Sequence, residues 1–245
     1  MSRTLYPSRG GGSVSYPISL AQGGTGQTSR VAALMDLYGF TPPPQTGWTA
    51  WNTPAVNGVA SDNHCYKIGK ALSAVDEIHG VYRSVAAGAF RCEAWICTDV
   101  PVQYMTHGLA VQDNTSKIAI LGRTYNASEV QAYSVKATSD TLTGASRSAI
   151  TWATYGGSGP SIGWNLGTSS WWGFAIERAS GGGVTFQFRP FGAPEWTTYG
   201  TTANDGAALG LASITRIGFF GGHYDFQNLA RGRIAQTYLG SWSVT

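Results

Sequence analysis

Ala89-Phe90-Arg91-Cys92-Glu93-Ala94-Trp95-Ile96-Cys97-Thr98 alternates residue by residue. Phe90, Cys92, Ala94 and Ile96 fall on one side and Arg91, Glu93 and Trp95 on the other, the period of an antiparallel strand with one face buried and one solvated. Working outward, Trp172, Phe174 and Ile176 alternate with Gly173, Ala175 and Glu177. Beyond the turn Ala179-Ser180-Gly181-Gly182-Gly183, Val184, Phe186 and Phe188 alternate with Thr185, Gln187 and Arg189, which predicts a hairpin. The pattern also predicts strands at Glu77 to Ser84, Met105 to Gln112, Ile118 to Arg123, Glu129 to Ala137 and Ser148 to Ala153. The last two are expected at Ile214 to Phe220 and Gly232 to Leu239. Many short strands punctuated by Gly, Ser, Asn and Asp, with no long helical stripe, predict an all-β antiparallel β-sandwich.

Three of these runs, taken in order, carry a resemblance. Phe90-Arg91-Cys92-Glu93-Ala94-Trp95-Ile96 resembles an early strand of concanavalin-like and laminin-G-like jelly rolls, and Trp171-Trp172-Gly173-Phe174-Ala175-Ile176-Glu177-Arg178 their central strand. The stretch from Ile217-Gly218-Phe219-Phe220-Gly221-Gly222 to Gly232-Arg233-Ile234-Ala235-Gln236-Thr237-Tyr238-Leu239 is similar to their closing pair. The resemblance implies a jelly-roll sandwich over residues 46–245.

Upstream, Thr41-Pro42-Pro43-Pro44-Gln45 reads as a linker, because consecutive prolines fix an extended backbone that continues neither helix nor sheet. All nine tryptophans lie beyond it, from Trp48 to Trp242, so the large core is expected there. Before the prolines, Leu20-Ala21-Gln22-Gly23-Gly24-Thr25-Gly26 precedes Val31, Leu34, Met35 and Tyr38 at helical spacing, with Gly39 as the stop. This stretch resembles the Leu-Ala-x-Gly-Gly-Thr-Gly element of tailed-bacteriophage tail fibres and tail spikes. Met35-Asp36 and Tyr38 depart from that pattern.

The resemblance implies a homotrimeric virion protein of the tail or baseplate, assembled in the host cytoplasm, with residues 18–45 as neck. The neck residues would be Leu20, Gly23, Gly24, Gly26, Val31, Leu34, Met35 and Tyr38, the apolar ones meeting their copies in sister chains. Residues 1–17, rich in Gly, Ser and Arg, would attach to another virion protein. The expected function is that of a short tail fibre or receptor-binding protein whose head binds a bacterial surface glycan during host adsorption. The alternatives are a tail-spike-type polysaccharide depolymerase and a virion decoration or structural cap.

Composition narrows the chemistry. Charged residues make up 12% of the 245, about half the usual share, so Ser, Thr, Asn, Gln and Gly must cover much of the surface. The net charge is +3, of which residues 1–44 hold +2 (three Arg less one Asp), and the near-neutral body gives no electrostatic reason to expect nucleic acid. No apolar run reaches the length of a membrane helix. Cys65, Cys92 and Cys97 form no metal or disulfide pattern and are expected as small apolar fillers, with Cys92 and Cys97 on opposite faces.

No catalytic pattern emerges. Asp76 and Glu77 are adjacent and face opposite ways, while Glu93, Glu177 and Glu195 stand alone, so the paired carboxylates of glycoside hydrolysis are not expected. His64, His79, His107 and His223 lack metal-ligand spacing, and no cofactor is expected. Calcium is an option at Asp113-Asn114 or at Asp225 with Asn228, although the spacing is not diagnostic. The candidate glycan-binding residues are Trp164, Trp196, Tyr199, His223, Tyr224, Asp225 and Asn228, because sugars stack on aromatic rings while amides and carboxylates take their hydroxyls. The competing structural role is that the aromatics close the sandwich ends or pack in a trimer interface.

Overall fold

A computed structural model describes residues 41–52, 56–59, 65–71, 77–98, 105–126, 129–138, 147–150, 171–191, 193–204, 208–223 and 234–245. The chain divides between Gly39 and Phe40 into two units, and all described residues belong to the second. The expected N-terminal segment and neck helix, including Leu20, Gly23, Gly24, Gly26, Val31, Leu34, Met35 and Tyr38, therefore lie outside the described residues.

Among the described residues the strands are β1 Thr49–Trp51, β2 Val56–Val59, β3 Tyr66–Ala71, β4 Glu77–Ser84, β5 Phe90–Thr98, β6 Met105–Gln112 and β7 Ile118–Asn126. They continue as β8 Glu129–Ala137, β9 Arg147–Ala149, β10 Trp172–Arg178, β11 Val184–Pro190, β12 Thr197–Thr202, β13 Arg216–His223 and β14 Ile234–Val244. They form two antiparallel seven-stranded sheets, in the order β1-β4-β13-β6-β7-β8-β9 and β12-β11-β10-β5-β14-β3-β2. Successive strands β3, β4, β5 and β6 alternate between the sheets, as do β12, β13 and β14. This is the expected all-β sandwich.

Its core is the meeting of the two inner faces. Phe90, Cys92, Ala94 and Ile96 of β5, with Trp172, Phe174 and Ile176 of β10 and Phe186 of β11, pack against Val81, Leu109, Leu121, Ile217 and Phe219 of the first sheet. Burying each large aromatic there stabilises the fold by about 2–3 kcal/mol. The other face of the first sheet is apolar as well: Ile78, Ala110, Ile118, Ile120 and Phe220 form a second buried cluster, with Trp51 laid over Gly80.

The proline segment belongs to the sandwich, so the boundary expected near Gln45 falls earlier. Thr41 N donates to Ser241 Oγ at 3.0 Å, and Trp242 N donates to the Thr41 carbonyl at 3.0 Å. Trp48 Nε1 donates to the Pro44 carbonyl at 2.7 Å, while the indole packs against Tyr66, Phe219 and Trp242. Polyproline geometry offers unpaired carbonyls, and here the body of the domain takes one of them.

A polar layer crosses the inner face of the first sheet. Strand register places His79, Gly221, His107 and Arg123 side by side on four neighbouring strands. Arg123 and His107 have no solvent exposure, and Arg123 lies 4.7 Å from the Trp172 ring centre. Opposite them, Thr237 of the second sheet fits against Gly221, where any Cβ would meet its Oγ1.

Candidate functional site

The outer face of the second sheet carries side chains that neither the core nor the turns require. Register aligns Trp95 of β5, Gly173 of β10 and Arg189 of β11 in one row, then Glu93, Ala175 and Gln187, then Arg91, Glu177 and Thr185. Alternation explains the placement, since these are the residues between the core-facing ones. Trp196, just before β12, crosses above Gly173, where a Cβ would come within 2.9 Å of its ring edge. Glycine leaves that space open.

Trp95 and Trp196 stand 6.4 Å apart with a 48° tilt, and the Arg189 guanidinium lies against both, 4.8 and 4.9 Å from their centres, so that the two indoles and the cation form a triangle. Phe191 closes on Trp95 edge to face at 6.1 Å. Trp95 was expected on a solvated face; it is only 7% exposed, because Trp196, Phe191 and Arg189 cover it. Period-two alternation assigns a side chain to a face but does not say whether another segment roofs that face.

One row along, Arg91 holds both acidic side chains of the face. Its Nε donates to Glu93 Oε1 at 2.7 Å, and one terminal nitrogen donates to Glu177 Oε2 at 2.8 Å and to Gln187 Oε1 at 2.9 Å. The Arg91 guanidinium is also 5.7 Å from the Trp196 ring centre. Burial works against its charge, but the bonds and charges of Glu93 and Glu177 outweigh burial and raise its pKa. Glu93 and Glu177 are thus outer-face residues as expected, though not solitary. Hydrolysis of a glycoside needs one carboxyl that gives up a proton and a second that attacks or activates water; these two are committed to one cation.

Among the described residues predicted to bind glycan, Trp196 is placed on this face. Tyr199 requires correction: it is 1% exposed, packed edge to face on Phe186 at 5.7 Å, and burial raises its phenol pKa despite a hydrogen bond with Ser134. It is a core residue beyond a ligand's reach. His223 ends β13, paired in the backbone with Glu77 and Met105. Trp164, Tyr224, Asp225 and Asn228 lie outside the described residues. The calcium option at Asp113 is answered by its bonding: Oδ1 accepts from Thr115 N, Thr115 Oγ1 and Lys117 N, and Oδ2 accepts from Ala212 N. That carboxylate is a loop anchor. Its partner in the option, Asn114, is exposed.

Sequence reading missed Arg91, Arg189 and Trp95 as site residues. Their signal was present in part, since an aromatic or arginine between core-facing positions is an outer-face residue, but the gathering of three strands and a loop is a matter of register. Away from this face, a concavity of about 540 Å3 lined in part by Pro44, Phe90, Ile217 and Trp242 has one charged lining side chain, Arg83, set 5.7 Å from the Trp48 ring centre.

No family model and no curated protein matches the sequence. Solved structures do share the fold. A functionally unknown protein from Saccharomyces cerevisiae aligns with TM-score 0.53 at 12% identity over 83% of this chain and 98% of its own. The GH43 BlXynB protein from Bacillus licheniformis aligns with TM-score 0.53 at 11% identity over 82% of this chain. This chain covers 37% of that enzyme's length. Lectin II from Ulex europaeus aligns with TM-score 0.50 at 12% identity over 84% of this chain and 95% of the lectin. At these identities the likeness is one of fold.

Proposed function

We propose that this chain is the receptor-binding subunit of a tailed-bacteriophage fibre, a homotrimer whose sandwich head captures a bacterial surface glycan on the outer face of its second sheet. The observation that carries the reading is the Trp95–Arg189–Trp196 cluster beside the Arg91 network. It supplies aromatic surface and hydrogen-bond donors on a rigid sheet, the combination that recognises sugars. The Leu20 to Gly26 element supports the virion role and the trimer. Three modest sites on one fibre would raise avidity by orders of magnitude without tight single sites. The virion would meet its partners in two places, another tail protein through residues 1–17 and the cell through the head.

The test is binding of the purified full chain to an array of bacterial surface polysaccharides. Wild type is expected to bind a subset, and Trp196→Ala to lose at least tenfold in apparent affinity with its circular dichroism unchanged. Equal binding by wild type and Trp196→Ala would remove this face from the function. Shortening of a bound polysaccharide would replace the adhesin with a depolymerase.

A further inference from the structure

We infer that the glycan recognised at this face carries a carboxylate and that Arg189 is the residue that reads it; the inference rests on the glycan-binding reading above. Two arginines on one sheet face differ in their partners. Arg91 is engaged by Glu93, Glu177 and Gln187 at 2.7, 2.8 and 2.9 Å, with both acids of the face as its ion-pair partners. Arg189 makes no ion pair and no hydrogen bond among the described residues, and its Nε is buried without an acceptor. The nearby acids do not answer it. Glu93 and Glu177 are taken by Arg91, and Glu195, exposed beside Trp196, makes no ion pair with Arg189.

What holds Arg189 is packing against two adjacent indoles, at 4.8 and 4.9 Å, whose centres are 6.4 Å apart. A guanidinium ordered this way has given up much of its rotamer freedom before any ligand arrives, and the indoles displace water from the sides they cover. Its donors match a planar two-oxygen acceptor, which a carboxylate provides bidentately and a neutral sugar hydroxyl does not. A neutral sugar would also leave the Arg189 charge without an ion-pair partner. An acidic sugar such as a uronic acid satisfies both demands, with its ring carbons against the Trp196 indole and its carboxylate on Arg189.

The experiment uses the full chain in surface plasmon resonance against immobilised hyaluronan, alginate and polygalacturonate, each also in carboxyl-reduced form, and against polyglutamate. Binding to at least one uronate polymer is expected, at least tenfold weaker after carboxyl reduction. Arg189→Gln is expected to erase that difference, and Arg189→Lys to retain part of it, both with unchanged circular dichroism. Equal binding of native and reduced polymers, unaffected by Arg189→Gln, would overturn the acidic-sugar inference while leaving the glycan reading in place. Polyglutamate bound as well as the uronates, and lost in Arg189→Gln, would keep the carboxylate reading and overturn the sugar. Binding to none of the polymers would overturn the inference.

Discussion

Arg123 donates from Nε to His107 Nε2 across 2.6 Å inside the sandwich, with no solvent exposure on either side chain. An imidazole nitrogen that accepts a hydrogen bond holds a lone pair, so His107 is neutral with its proton on Nδ1. Burial, and then the charge of Arg123, pushes its pKa well below the usual 6.5. The unfolded chain takes up a proton near pH 6.5 that the folded chain refuses, so stability is full above that pH and falls as pH drops below it. The expected loss approaches about 1.4 kcal/mol per pH unit. Urea denaturation at pH 7.5, 6.5 and 5.5 measures it, and His107→Gln, which keeps an acceptor but does not titrate, should flatten the slope relative to wild type.

Asp113 gives a second, more acidic transition. Burial pulls its carboxyl up, but the bonds from Ala212, Thr115 and Lys117 outweigh burial and hold it below its ordinary 3.8. Its contribution is present above that value and fades as pH falls further. Asp113→Ala should cost about 1.5–3 kcal/mol at pH 7, since the charge-assisted bonds from Thr115, Lys117 and Ala212 are lost. The difference from wild type should shrink below pH 3 in guanidinium titrations.

The sheets touch most closely at Gly221 and Thr237. Gly221→Ala forces its methyl onto Thr237 Oγ1 and should destabilise by about 1–3 kcal/mol. Thr237→Ala alone leaves a small void, yet in combination it should recover part of the Gly221→Ala loss. A double-mutant cycle by thermal melting reads the coupling, and strict additivity would contradict the contact.

Gly173 permits the aromatic crossing above it. Gly173→Val should lift Trp196 from the sheet and take one ring from Arg189, lowering glycan binding at least tenfold while the melting temperature moves by only a few degrees. Intact binding in this variant would mean that the stack is not part of the ligand site.

The assembly prediction belongs to the neck. Leu34→Asp is expected to convert trimer to monomer in size-exclusion chromatography with light scattering, with the β-rich circular dichroism of the head retained. Survival of the trimer would place its contacts elsewhere.

Much of the sandwich was legible because alternation is local. β5, β10 and β11 follow from which residues are apolar at every second position, and Cys92 and Cys97 fall on opposite faces as that parity requires. β3 escaped because Tyr66-Lys67-Ile68-Gly69-Lys70 has too few apolar positions to stand out, and β12 because Thr197 to Thr202 is polar and interrupted by Gly200. The site was less legible. Arg91 reaches Glu177 across 86 residues of chain and Gln187 across 96, contacts that only strand register creates. The His107–Arg123 pair likewise joins two residues that look unremarkable in their own strands. Tyr199 misled because a tyrosine in a polar run reads the same whether its ring turns outward or inward.

The hydrogen bonds between Thr41 and the Ser241–Trp242 pair have a mechanical meaning. β14 lies inside its sheet, flanked by β5 and β3, and Trp242 is seated in the core. Tension drawn through the chain upstream of Thr41 meets two hydrogen bonds to an interior strand before it reaches β1, the edge strand of the other sheet. The load is thereby shared between both sheets at the point where the chain enters the head.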